Sequence, residues 1–217
     1  MFVAIVYESL FGNTREIAAA VAEGIREDDP RADVACCRAA EAGPDLPRAD
    51  LLIVGAPTHF LGLPSERSRI MRPRYRPESG TWDLTGPLPR AAANVIGKRH
   101  AAGEAAGDEP RVAAPAGVRE WLGRLAPAPA GAKAAAFDTR LDTLTAGSAA
   151  REIGRSLHKL GYQLVTRPEG FTVADFDGPL TGGERMRARR WGAEVSRAAR
   201  PADSASPATS RSQPPQT

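Results

Sequence analysis

The chain has 217 residues, 42% hydrophobic and 25% charged, enough to bury one sizeable core, so a single domain is the expectation. A formal net charge of +3 and a pI near 9.2 suit an acidic partner but fall short of the basic footprint of a nucleic-acid binder. No apolar run approaches the ~20 residues of a membrane span, and the sequence opens on a strand-like run at Phe2, without a charged-then-apolar leader, which points to the cytoplasm.

Val3 to Tyr7 reads as a buried strand that runs into the polar loop Glu8 to Thr14. Behind the loop, Ile17, Ala18, Val21, Ala22 and Ile25 recur at helical spacing. A loop between a strand and a helix N-terminus is an anion site, because the first helical turn has N–H groups without internal partners and the positive end of the helix dipole. Ser9, Asn13 and Thr14 add side-chain donors, and Gly12 allows close approach to the backbone. Asn13 with Glu16 has the spacing of a capping box, and the helix is expected to run to about Arg26. Asp33 to Cys37 reads as a second strand. Its adjacent Cys36 and Cys37 point to opposite faces, one buried and one near the surface, with no redox or metal role. After a polar connection through Pro44 and Pro47, Leu51 to Ala56 is apolar without alternation, a strand covered on both faces that ends at Pro57. Strand, helix, strand, connection, strand is the grammar of an α/β fold with right-handed crossovers.

The loop after this third strand, Pro57-Thr58-His59-Phe60-Leu61-Gly62-Leu63-Pro64, forms the second half of the site. In an open sheet of order 2-1-3-4-5 the ligand crevice lies between the first and third strands, so the two loops face one another. A Walker-type reading fails, since no Gly-Lys-Ser/Thr follows the first strand, and a phosphoacceptor receiver fails because Gly55-Ala56-Pro57 stands where an aspartate is needed. His59, beside an aromatic in such a loop, is read as packing against or bonding to a ring in preference to acid–base work, and Phe60 as a ring contact.

From Pro64 to Gly117 the sequence turns to arginine (Glu66 to Arg76, with Pro73 and Pro77) and then to Ala, Gly, Pro and charge. Residues 65–116 read as an irregular, partly disordered insertion. Its arginine run is taken as a solvated surface, with docking of an acidic protein or an anionic substrate as the functional alternative. Val118, Trp121, Leu122 and Leu125 then make a helical stripe, and Ala134 to Phe137 a fourth strand followed by a loop Asp138-Thr139-Arg140. Ser148 starts a helix through Ile153, Leu157 and Leu160, which Gly161 stops. Gln163 to Thr166 and Phe171 to Val173 read as one interrupted fifth strand. Thr181 with Glu184 suggests a second capping box, for a helix buried through Ala188, Trp191, Val195 and Ala198, and residues 200–217 read as a disordered tail.

The paired loops resemble those of the flavodoxin family, in its short-chain type with a long insertion after the third strand. The resemblance covers Phe2 to Gly62 and Gly117 to Ala199. It implies a flavodoxin-like, doubly wound, parallel five-stranded sheet of order 2-1-3-4-5 in a three-layer sandwich over residues 1–199, with FMN as cofactor. The phosphate would sit on Ser9, Phe11, Gly12, Asn13 and Thr14, and the ring against Pro57, Thr58, His59, Phe60 and Gly62 and a third loop of Asp138, Thr139 and Arg140. Phe11 stands where many members have Thr, leaving only its backbone N–H. Arg140 stands where many have an aromatic or acidic residue, and its positive charge near a reduced flavin would raise the redox potential. The implied function is electron transfer with a redox partner protein, or flavin-dependent oxidoreduction of a small-molecule acceptor, with the chemistry carried by the cofactor and no catalytic side chain or metal required. A cofactor-free binding or regulatory module on the same fold is the alternative.

Overall fold

Strands covered on both faces are apolar at every position, and the two runs that read this way form the centre of the sheet: β1 (Phe2–Tyr7) and β3 (Leu51–Pro57). The structure is a computed structural model that describes residues 1–42, 49–59, 61–70, 74–76, 81–83, 116–143 and 147–200. After β1 come α1 (Asn13–Asp28) and β2 (Asp33–Arg38). β3 is followed by α2 (Glu66–Ile70), the strands β4 (Arg74–Arg76) and β5 (Thr81–Asp83), and α3 (Val118–Leu122). The remaining elements are β6 (Lys133–Leu141), α4 (Ala149–Lys159), β7 (Gln163–Leu164), β8 (Glu169–Val173) and α5 (Glu184–Ala199).

The main sheet is ordered β2-β1-β3-β6-β7, with β8 also paired to β6. All its ladders are parallel. β7 pairs Lys133 and Ala134 while β8 pairs Phe137 to Leu141, so the two are successive halves of one edge strand, and the expected order 2-1-3-4-5 holds. The resumed half starts at Glu169, earlier than Phe171.

Alternation along β1 divides the core between two faces. Val3, Ile5 and Tyr7 join α1 and α5 residues such as Ile17, Val21, Trp191 and Val195. Ala4 and Val6 join Trp121 and Leu122 of α3 and Ile153 and Leu157 of α4. This is the three-layer sandwich. On the first face Phe137, Phe171 and Trp191 meet edge to face at centroid distances of 6.0–6.2 Å, a favoured aromatic geometry.

Several local expectations change. α5 buries Ala199 where Ala198 was expected, one residue out of phase. Leu125 lies beyond the end of α3, although it still packs on the second core. The helix opening at Glu184 is capped by Gly183 without a side-chain bond. Thr181 offers only its carbonyl to the Glu184 N–H, and the Glu184 carboxylate instead accepts from Thr172 N–H and pairs with Arg187. β2 lies at the sheet edge, so Cys36 is exposed, and Cys37 is only half-buried where it packs against the second core. Desolvation around the sulfur nonetheless raises the Cys36 pKa to about 11, with the neighbouring Cys37 adding to the shift and Arg26 opposing it, so the thiol stays protonated at pH 7. The reading of 65–116 as irregular is modified by α2 and the antiparallel pair β4–β5, while 84–115 lies outside the described residues, as does 201–217 of the tail. Arg200 is held, capping α5 and paired with Asp28.

Candidate functional site

At the carboxyl end of β1 the chain leaves the sheet after a last bond from Glu8 N–H to the Gly55 carbonyl, 3.0 Å. It re-enters regular structure at Gly12, whose φ of 99° lies in the left-handed region that glycine adopts without strain. Gly12, not Asn13, is therefore the cap of α1, and no side chain caps it. Asn13 is already helical, and its amide is spent on the Asp177 carbonyl at 2.9 Å. Ser9 Oγ accepts from the Gly12 N–H (3.2 Å) and the Arg15 N–H (3.3 Å), folding the loop on itself. Thr14 is buried, and its hydroxyl shares a 2.8 Å hydrogen bond with that of Thr139.

The N–H groups of Phe11, Asn13 and Thr14 have no acceptor among the described residues, and a Cβ built on Gly12 meets nothing within 4 Å. What the loop offers is an open row of backbone donors at the positive end of α1. This set fits a phosphate group. The Phe11 side chain, 37% exposed, contributes only through its backbone.

The second loop is built differently. Thr58 N–H donates to Thr139 O at 2.8 Å, prolonging the β3–β6 pairing, and His59 and Gly62 close a tight turn through reciprocal backbone bonds of 2.9 and 3.0 Å. Thr58 Oγ1 donates to Asp138 Oδ2 (3.1 Å) and accepts from Ala149 N–H (2.9 Å). Glu152 accepts from Leu63 N–H at 2.8 Å, and Arg119, bridged to Glu152 at 2.7 Å, donates to the carbonyls of Leu63 and Pro64. A Cβ on Gly62 would come within 2.7 Å of the Glu152 carboxylate. Pro57 and His59 are half-buried, and Phe60 lies outside the described residues. Burial pushes the His59 imidazole down to about 4, with the Arg69 charge acting in the same direction against a hydrogen bond to the Ser68 backbone. The ring is neutral at pH 7.

Asp138, Thr139 and Arg140 are not a third loop, because β6 continues through Leu141. Pairing of the whole 137–141 stretch with β8 extends the strand beyond its alanine run. The Asp138 side chain is fully buried. Its Oδ2 accepts from Thr58 Oγ1, Ser148 Oγ (2.8 Å) and Ala150 N–H (3.0 Å), and Arg140 Nη1 lies 3.1 Å from Oδ1. Arg140 thus pairs with Asp138, its guanidinium lying against Gly170.

Sequence reasoning missed a second buried cluster. Glu8 continues the Ala4–Val6 face of β1, so its carboxylate enters the core and accepts from the Val118 N–H at 2.9 Å, capping α3. Arg69 of α2, also buried, lies 3.5 Å from Glu8 Oε1 and 2.9 Å from Glu120 Oε2. Both ions occupy the space that a side chain on Gly117 would need. Burial lifts the Glu8 carboxyl above the usual carboxylate range, although Val118 N–H and Arg69 act the other way. Arg69 therefore does not belong to a solvated arginine surface. A carboxylate in strand phase with core residues was the available signal.

Two loops, one of them rich in open backbone donors, meet at the β1/β3 switch point of a doubly wound sheet, the place where such sheets bind ligands. The flavodoxin family model matches residues 5–76, a span that contains both loops, so this stretch of the chain is similar to the flavodoxin family. The cofactor that this match implies is FMN. Among solved structures, the chain is similar to a flavodoxin from the domain Archaea (17% identity, TM-score 0.54, covering 92% of this chain and 99% of that one). It is also similar to oxidised Flavodoxin 1 from Bacillus cereus (16%, 0.54, covering 91% and 98%). A third is a short-chain flavodoxin associated with a non-canonical PDU bacterial microcompartment (11%, 0.50, covering 92% and 99%). At these identities the likeness speaks for the fold. No curated protein matches the chain.

Proposed function

We propose that the protein binds FMN across the β1/β3 switch point and serves as an electron-transfer flavoprotein. The observation that carries this is the row of unpartnered N–H groups at Phe11, Asn13 and Thr14, beside a glycine with positive φ and open space above it. These donors hold the phosphate, and the Ser9 hydroxyl, now bonded to Gly12 and Arg15, can turn to join them. Thr14 Oγ1 and the Asn13 amide serve instead to tie α1 to β6 and to the loop after β8.

Pro57, Thr58, His59 and Gly62 form one wall for the ring, backed by Asp138, Thr139 and Arg140. Bound FMN supplies the one- and two-electron chemistry, and the protein fixes, walls and electrostatically tunes it. A neutral His59 adds no charge to that wall.

Fluorescence titration with FMN and riboflavin tests the reading. Two charge-assisted hydrogen bonds to the phosphate, at about 1.5 kcal/mol each, predict roughly hundredfold tighter binding of FMN. Equal affinities would refute the phosphate loop, and absence of binding to either would favour the cofactor-free module. Stopped-flow reduction with small quinones against one-electron protein acceptors then separates an oxidoreductase from a carrier.

A further inference from the structure

We propose that the outer face of α4 is a docking cleft for an acidic, partly apolar extended segment of a partner protein. Arg151, Arg155 and Lys159 stand at i, i+4 and i+8 on α4, and with His158 they wall a cleft of about 490 Å³ floored by Gly154, Leu164 and Pro168. None of these three cations has a carboxylate partner among the described residues, whereas Arg119, Arg140 and Arg187 are each ion-paired.

The stripe works against its own helix. Like charges at i, i+4 repel, and Arg151 sits in the first turn, at the positive end of the dipole. Lys159 in the last turn is favourably placed, so the helix dipole accounts for one end of the stripe and not the other. The one acidic residue of α4, Glu152, is committed elsewhere, to Arg119 and Leu63 N–H. Carboxylates that would relieve the repulsion must come from outside the described fold.

The geometry suits an extended chain. Residues four apart on a helix are separated by about 6 Å along its axis, and alternate residues of a strand by about 6.6 Å, so carboxylates on every second residue meet successive cations. The floor suits the apolar residues between them. It is closed: a Cβ on Gly154 would already lie 3.0 Å from Pro168 and 3.3 Å from Leu164. β7 is also an open edge. Gln163 and Val165 N–H groups turn inward to Ala132 and Ala134 carbonyls, which leaves the Leu164 backbone facing outward for pairing with an added strand. A second cavity of about 470 Å³, lined by Tyr162 and Gln163, shares His158 and Leu164 with the first and continues the groove.

A fluorescein-labelled octapeptide of alternating glutamate and leucine tests this by anisotropy on the full chain. Expected is saturable binding that weakens with salt, falls at least tenfold in R151E/R155E/K159E and at least threefold in the single exposed variant R155E, and changes less than twofold in R31E/R38E on the opposite sheet edge. Leu164→Ser, which leaves the charge untouched, should weaken it at least threefold. Equal losses in the two charge-reversal variants, or no loss in R155E and Leu164→Ser, would overturn the cleft. Preferential binding of vesicles containing 30% phosphatidylserine through the same arginines would overturn it in favour of a membrane surface. The peptide is titrated with and without added FMN. Its binding is independent of flavin, so failure here leaves the cofactor assignment standing, and the converse also holds.

Discussion

The two loops at the mouth of the sheet solve opposite problems. The loop from Glu8 to Thr14 keeps backbone donors open and closes on itself only through Ser9, whereas in the second loop the polar groups of Thr58, Leu63 and Pro64 are taken up by Asp138, Glu152 and Arg119. An anion can supply acceptors to the first but has nothing to complete in the second. In the proposed FMN site one loop would be the receptor for charge and the other the wall for the ring, and each can be broken separately.

The wall depends most on Asp138. Replacing it by Ala leaves Arg140, Ser148 Oγ, Thr58 Oγ1 and Ala150 N–H without their shared acceptor, and breaking a buried pair of this kind costs about 4 kcal/mol. Urea unfolding of Asp138→Ala should show that loss, with Asp138→Asn intermediate because it keeps one acceptor. A loss below 1 kcal/mol would mean the wall is held mainly by Glu152 and Arg119.

His59 gives the wall a pH dependence. The unfolded imidazole takes up a proton near 6.5 and the folded one only near 4, so the unfolded state binds more protons between those values and stability falls as pH drops through that window. The loss should reach about 2 kcal/mol once the partial exposure of the ring is discounted. His59→Gln should flatten the profile between pH 6.5 and 4, and an unchanged slope would assign it to other groups.

The receptor loop is broken at Gly12. Because a Cβ there meets no atom, Gly12→Ala is not a steric exclusion within the protein; its cost is the positive φ, about 1 kcal/mol. The same methyl group projects into the space proposed for the phosphate. Expected are a small drop in thermal stability and a tenfold or greater loss of FMN affinity, with riboflavin affinity unchanged. Parallel loss of both ligands would show that the variant disturbs the loop as a whole.

Much of this architecture is legible in sequence because it is local. Unalternating apolar runs gave β1 and β3 their central places, Ser148 does cap α4 through the Arg151 N–H, and Gly161 does stop the chain in the left-handed region with φ 97°. The errors come from competition between local signals or from partners far along the chain. Asn13 has a capping residue's chemistry, but the glycine before it takes the position, and the Asn13 amide finds an acceptor 164 residues away. Glu8, Arg69 and Glu120 meet only once α2 and α3 pack on the second face of the sheet, and no periodicity in any one segment brings them together. Asp138 reads as a loop residue because a buried carboxylate in a strand makes sense only when Thr58, Ser148 and Arg140 surround it.

Arg140 gives the finest comparison between wall and cofactor. Its guanidinium is about one-third exposed and bound to a carboxylate that is fully buried, so the pair presents a dipole rather than a free charge. Removing the cation alone leaves the Asp138 carboxylate unbalanced behind the wall, and an unbalanced negative charge disfavours an anionic reduced flavin. Arg140→Ala should therefore lower the two-electron midpoint by about 20 mV, equivalent to roughly 1 kcal/mol, and the effect should shrink as pH falls and the reduced flavin stays neutral. Arg140→Lys keeps the charge and should recover most of the shift. The double variant Asp138→Asn/Arg140→Gln removes both charges with nearly unchanged shape, and its midpoint should return close to that of the unaltered protein. Potentiometric titration of the three variants decides the matter. A double variant as low as Arg140→Ala would mean the cation acts by itself and not through the pair, and a higher midpoint in Arg140→Ala would contradict the electrostatic argument.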